Sequence, residues 1–162
     1  MRPTRFLFAA LALASCAAFA GTVDVKFIDP AHFTDLADTP SDEPEVMAML
    51  SRHLQDLGAQ LPANQVLHVD VLDVDLAGMW RQTPRGRVRT VGNRQDPPKF
   101  ILRYTLESQG QVLRSGEDRV TDLDYANRFT NRASNVPLYY EKRLLSEWFA
   151  RGFGAQAQAL AR

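Results

Sequence analysis

The chain has 162 residues, enough for one domain with one hydrophobic core but not for two. Its formal net charge is zero, so the global charge excess that favours nucleic-acid binding is absent and we expect no nucleic-acid partner. Hydrophobic residues make up 45% and charged residues 23%, as is typical of a soluble globular protein.

The N-terminus has the features of a cleavable export signal. Arg2 and Arg5 precede an apolar run, residues 6–14, that is too short to span a membrane as a helix. Small side chains at Ala18 and Ala20 then suit signal peptidase cleavage before residue 21. The sequence therefore predicts a signal peptide over residues 1–20 and a single periplasmic domain over residues 21–162.

Cys16 supplies an alternative. Residues 13–16 form a lipobox, in which the cysteine is acylated and anchors the protein to the envelope. We favour the periplasmic prediction because residues 17–20 are apolar and lead almost directly into a strand, whereas a lipoprotein usually has a polar tether there. Cys16 is the only cysteine, so we expect no intramolecular disulfide and no thiolate metal cluster.

The first half of the domain has a strand–helix–strand pattern. Alternating polarity predicts a strand over residues 22–28, and helical periodicity predicts a helix over 45–58 with His53 on its apolar stripe. A second strand is expected over 65–77. Its apolar residues change parity near residues 71–72, which predicts a β-bulge. This order indicates a crossover between parallel strands.

The second half begins with an arginine-rich segment, 79–98, that contains a turn at 84–86 and a short strand. Strands over 99–107 and 111–121 form a predicted hairpin, and an amphipathic helix is expected over 138–152. The predicted fold class is α+β. We expect a two-layer sandwich, with a mostly antiparallel sheet of four or five strands and two helices packed on one face.

Four stretches together resemble a known family. They are Phe27-Ile28-Asp29-Pro30, Asp73-Val74-Asp75-Leu76-Ala77-Gly78, Leu102-Arg103-Tyr104, and Tyr140-Glu141-Lys142-Arg143-Leu144 with Trp148-Phe149. In order and spacing they are similar to the bacterial exported domain-of-unknown-function family numbered 3016. The resemblance covers nearly all of the predicted mature chain. It implies the compartment and the domain but no reaction.

Glu141 is the weak catalytic candidate, because its carboxylate lies at the centre of the apolar stripe of the second helix. A buried carboxylate needs a partner or a raised pKa, and we expect the partner to be Arg103, Arg119 or His53. Such a group either acts as an acid or base in a pocket or serves as a hydrogen-bonded structural carboxylate near a helix N-terminus. The structural role is the favoured one.

Three aspartates on the second strand are weak candidates for a calcium or magnesium site: Asp70, Asp73 and Asp75. His68 lies on the same strand. The segment lacks the glycine and distal glutamate of a calcium loop, and pairing of surface charges with nearby arginines explains the same residues. We therefore predict no metal.

The arginine-rich segment is the candidate binding element. Its residues are Trp80, Arg81, Arg85, Arg87 and Arg89. The guanidinium group of arginine binds phosphates bidentately, and tryptophan favours membrane interfaces. The expected partners are therefore anionic lipid headgroups or an envelope protein. The alternative is a solvated hairpin whose charges prevent sheet edges from pairing.

Common catalytic and cofactor motifs are missing from the sequence, among them G-x-S-x-G, H-E-x-x-H, the P-loop and G-x-G-x-x-G. We therefore predict no cofactor and a non-enzymatic binding or accessory module of the envelope. The alternatives are a small hydrolase using Glu141 with His53 or His68, and a divalent-metal binder.

Overall fold

The structure is a computed structural model that describes residues 21–84, 86–91, 96–128 and 136–154. The predicted signal peptide, with Cys16, lies outside the described residues. The described chain forms these strands and helices: β1 (Thr22–Phe27), α1 (Glu43–Leu57), β2 (Gln65–Asp75), β3 (Met79–Thr83), β4 (Gly86–Thr90), β5 (Lys99–Ser108), β6 (Gln111–Thr121) and α2 (Tyr139–Phe153).

The main sheet has four strands in the order β1-β2-β5-β6. β1 and β2 are parallel neighbours joined through α1, whereas β2–β5 and β5–β6 are antiparallel. The register of β2 against β5 shifts between Val71 and Asp73, which confirms the predicted bulge. The extra residue at position 72 returns the apolar side chains of β2 to one face, so that Val71 and Val74 are both buried.

The core lies between this sheet and the two helices. On α1 the buried side chains are spaced as the sequence predicts: Val46, Leu50, Leu54 and Leu57. α2 buries Leu144, Leu145, Trp148 and Phe149, and in addition Tyr140 and Phe153, which lie outside the predicted stripe. The α+β fold class is confirmed. No helix in the described part of the chain is both long enough and apolar enough to cross a membrane.

β3 and β4 form a separate two-stranded sheet rather than extending the main one. Gly78 sits at the junction with a φ of 90°, and a Cβ there would lie 2.5 Å from the carbonyl oxygen of Thr90. Glycine is therefore required for the chain to leave β2 and enter the hairpin. The hairpin therefore lies at the end of the sandwich where both helices begin.

Candidate functional site

A cavity of about 530 Å³ lies where α1 and α2 begin, next to the start of the β3–β4 hairpin. Its wall includes residues 37 and 38 of the loop before α1, the first turns of both helices, and residues 76 and 77 after β2. Cavities of this size hold small organic ligands in other proteins. The lining is largely apolar but contains several charged side chains.

Glu141 lies in the wall of this cavity and is only 4% exposed. Its Oε1 accepts a hydrogen bond of 2.8 Å from the backbone N–H of Ala77, so the first turn of α2 is tied to the end of β2. Burial raises the pKa of Glu141 above its usual 4.5, although the hydrogen bonds from the N–H groups of Ala77 and Glu141 and the charge of Arg89 oppose the shift. The carboxyl group therefore takes up a proton more readily than an exposed glutamate does.

Arg89, on β4, lies beside this carboxylate with its side chain 13% exposed. Its guanidinium binds Asp35 in a bidentate manner, at 2.8 and 3.0 Å, and its Nε donates to Asp38 at 3.2 Å. Nη1 also lies within 3.5 Å of the carbonyl oxygens of residues 76–78. Burial alone would lower the pKa of Arg89, but its hydrogen bonds and charge pairing with the two aspartates raise it overall. Arg89 therefore fastens the hairpin to the loop before α1.

That loop is also bound to β2 through its backbone. The N–H of Asp35 donates to the carbonyl of Val74, and the N–H of Leu76 donates to the carbonyl of Asp35. Asp73 accepts hydrogen bonds from both the N–H and the hydroxyl of Thr34, at 2.7 and 2.8 Å. These contacts hold the cavity wall on the rigid end of the sheet, which favours a preformed site.

Tyrosines form the remaining wall. Tyr139 and Tyr140 line the cavity, and the ring of Tyr140 packs edge-on against the rings of Tyr139 and Tyr125 at centroid distances of 5.4 and 5.1 Å. The hydroxyl of Tyr140 is buried without a hydrogen-bond partner among the described residues. Burial also raises the pKa of Tyr140, which keeps its hydroxyl protonated and able to donate. A polar atom in this state is costly unless something else satisfies it.

The burial of Glu141 agrees with its predicted place at the centre of the apolar stripe, but the expected partners were wrong. The carboxylate is held by the N–H of Ala77, a group that no side-chain pattern reveals. Arg103 instead pairs with Glu117 at 3.4 Å, across the β5–β6 hairpin. His53 Nε2 lies 2.8 Å from both the carbonyl of Lys142 and the hydroxyl of Ser146.

Neither histidine of the hydrolase alternative shares a cavity with Glu141. His53 lines a separate, smaller pocket between α1 and α2, where burial lowers its pKa below the usual 6.5. His68 lies on the opposite, outer face of the sheet, 3.3 Å from Asp24 and 3.8 Å from Glu107. The structure therefore does not bring the proposed acid–base pair together.

The three aspartates of the metal alternative are each placed differently. Asp70 lies opposite Arg103 in the β2–β5 register, Asp73 holds Thr34, and Asp75 pairs with Lys99 at 2.6 Å. Across the described ranges, no group of three or more His, Cys, Asp or Glu side chains is arranged to hold a metal ion.

The candidate arginines do not form one exposed patch. Arg89 is engaged with aspartates as described, whereas Arg81 is exposed on β3. Arg85 lies outside the described residues, as do the side chains of Trp80 and Arg87. The predicted headgroup contact therefore depends on Arg81, Arg85 and Arg87, and no longer on Arg89.

Sequence analysis missed most of the cavity wall. Asp35 and Asp38 lie in a segment, residues 32–44, whose content of Asp, Thr and Pro predicts only a loop, and Ala77 is the last residue of the strand predicted over 65–77. One signal was present: Leu36 and Ala37 interrupt the polar loop, and Leu36 is 5% exposed in the structure. An apolar pair within a polar loop indicates that the loop docks on the core.

The fold and the cavity together define a small α+β sandwich domain with an ion-paired, partly apolar cavity at its helix N-termini. The chain belongs to the family described as "Protein of unknown function (DUF3016)", which matches residues 21–151. Comparison with curated proteins and with solved structures produced no match.

Proposed function

We propose that this protein is an exported envelope domain that binds a small ligand, without catalysis, in the cavity beside Glu141. The observation that carries the proposal is Glu141 itself. Of the charged side chains that the structure describes, it alone is buried, and it lies in a cavity wall rather than inside the packed core. Buried carboxylates with shifted pKa values occur preferentially at functional sites.

The surroundings of Glu141 support binding rather than hydrolysis. The two histidines that would complete an acid–base pair lie in another pocket and on another face. By contrast, the loop before α1, the end of β2 and β4 are tied together around the cavity by Arg89. Such a framework holds a ligand site in place before the ligand arrives, which lowers the cost of binding.

A cavity-filling variant tests this proposal. Val136 lines the cavity and is 43% exposed, so Val136→Trp should narrow the cavity with little effect on the core. Val112→Trp is the matched control, because Val112 is 59% exposed on β6, which contributes nothing to the cavity wall. Fragment screening by NMR should give ligands that bind the wild type and the control but not Val136→Trp. Equal binding by all three proteins would refute the proposal.

Export is the second part of the proposal. It is supported by the signal-peptide pattern of residues 1–20 and by the resemblance of the chain to a family of exported bacterial proteins. The intact mass of the protein recovered from a bacterial envelope fraction tests it. A chain starting at Gly21 indicates a periplasmic domain, whereas acylated Cys16 as first residue indicates a lipid-anchored one. Recovery of the uncleaved chain from the cytoplasm would refute export.

The hairpin supplies a second candidate function, contact with anionic headgroups or an envelope protein. It forms its own two-stranded sheet, and the side chain of Arg81 is exposed on it. Replacing Arg81, Arg85 and Arg87 by glutamine should abolish binding to anionic vesicles while leaving the unfolding temperature unchanged. Arg89 should be left intact in this test. Binding that survives the triple change would exclude the hairpin.

A further inference from the structure

We propose that the ligand of this cavity is a small organic cation, with an ammonium or guanidinium group carried on an apolar body. The inference rests on the proposed binding function and names its ligand class. It follows from the charge of the wall, from its aromatic and apolar parts, and from one unsatisfied hydroxyl group.

The charge of the described part of the wall disfavours anions. Among the described wall residues, four carry a carboxylate and one a guanidinium: Asp38, Asp42, Glu45 and Glu141, with Arg89. Arg89 pairs with Asp35 and Asp38, so the charges of Arg89 and Asp38 are offset within the protein. The carboxylates of the wall that remain are those of Asp42, Glu45 and Glu141. Lys142, the next residue after Glu141, lines a different pocket. A bound cation would reduce the repulsion among the carboxylates, whereas a bound anion would increase it.

The rest of the wall is suited to an organic cation rather than a bare ion. Tyr139 and Tyr140 present aromatic surface, which attracts ammonium and guanidinium groups through cation–π interactions. Val46, Met49 and Leu76 add apolar surface to the same wall. A volume of about 530 Å³ is far larger than a metal ion needs, and the described carboxylates do not converge on one point.

The buried hydroxyl of Tyr140 is a further observation that agrees with a ligand at this cavity. It belongs to a residue only 7% exposed, and it has no hydrogen-bond partner among the described residues. Tyr140 is part of the cavity wall next to Glu141, and we infer that a polar group of the ligand is the partner of this hydroxyl. The helix N-termini that meet at the cavity would by themselves favour an anion, and Asp42 and Glu45 offset that tendency.

Three probes of nearly equal size test the ligand class: phenethylammonium, phenylethanol and phenylpropionate. The readout is the NMR shift of the Ala77 amide, whose proton is bonded to Glu141. We expect saturable shifts with phenethylammonium and affinity at least about tenfold weaker for the neutral and anionic probes, as the loss of one charge-assisted contact predicts. A blocked lysine tripeptide distinguishes a cationic peptide side chain from a free amine as the source of the cation.

Paired variants locate the charge that the cation contacts. Glu45→Gln should weaken phenethylammonium binding by about two- to fivefold, the range for an exposed ion pair. Glu43→Gln is the control, because Glu43 lies in the same first turn of α1 but not in this cavity wall. Glu141→Gln keeps an acceptor for the Ala77 N–H and should cost about tenfold or more.

The outcomes separate the two proposals. Stronger shifts with the neutral or anionic probe at Ala77 would overturn the cation inference while leaving a ligand-binding cavity. Equal losses in Glu45→Gln and Glu43→Gln would also overturn it, since the affinity would then depend on the general charge of the first turn of α1 and not on a contact in the cavity. No saturable shift at Ala77 with any probe or with the tripeptide would overturn both proposals.

Discussion

Helix α2 has two ends that are built from different chemistry. At its C-terminal end, Trp148 and Phe153 pack edge-on against Tyr104 and against each other, with ring centroids 5.1–6.1 Å apart. At its N-terminal end, Glu141 and Arg89 lie beside a cavity and bind backbone groups and aspartates. Rings at the first end need only close packing, whereas charges at the second need partners in defined positions. The comparison indicates that close packing at the first end stabilises the domain, and we propose that the second end binds a ligand.

The largest expected effect on stability is at the C-terminal end of α2, which we call the aromatic end. Phe149 is fully buried next to Phe153, so Phe149→Ala should lower the free energy of unfolding by about 3–5 kcal/mol. Val112→Ala, on an exposed part of β6, should change it by less than about 0.5 kcal/mol. Urea denaturation measures both. A small loss in Phe149→Ala would contradict the assignment of stability to this end.

The next largest effect on stability is expected beside the N-terminal end of α2, where Arg89 pairs with aspartates. Arg89→Met should cost roughly 2–4 kcal/mol, below the full cost of orphaning a buried charge because Asp38 is half exposed. The loss arises because Asp35 and Asp38 are left without their guanidinium. Arg81→Met on the same hairpin is the control and should have little effect. Similar stabilities of the two variants, again by urea denaturation, would show that Arg89 does not fasten the hairpin.

Local patterns predicted Trp148 and Phe149 at the aromatic end but not Phe153, and they predicted little of the cavity. The stripe of α2 and the bulge at Val71 depend on residues near in sequence, so periodicity reveals them. Arg89 and Asp35 are 54 positions apart, and Ala77 and Glu141 are 64 apart. The sequence showed that Glu141 needs a partner but could not select a backbone N–H brought close by the fold.

A smaller effect is expected where the loop before α1 joins β2. Asp73→Ala removes the acceptor of two hydrogen bonds from Thr34 and should cost about 0.5–1.5 kcal/mol. Asp70→Ala, on the outer face of the same strand, is the control. Thermal unfolding distinguishes them. If the two variants unfold at the same temperature, the contacts of Thr34 do not hold the cavity wall.

The smallest difference in stability is expected between the wild type and Glu141→Gln at low pH, because the wild-type carboxyl is then protonated and resembles the amide. The pKa of Glu141 is raised in the folded state, so above the usual 4.5 the folded protein binds more protons at this site than the unfolded chain. Wild-type stability should therefore fall relative to Glu141→Gln as the pH rises from about 4.5 through the raised pKa, and then level off. Denaturation midpoints across this range measure the difference. A wild type that gains stability relative to the variant would contradict the burial of this carboxyl.

The central claim is that the two ends of α2 differ in their access to ligand. NMR shift mapping with a mixture of small fragments tests it most directly, by comparing the amides of Ala77 and Phe153. We predict saturable shifts at Ala77 and none at Phe153, because only the first lies in the cavity wall. Shifts confined to Phe153, or absent from Ala77 at every fragment concentration, would contradict the account.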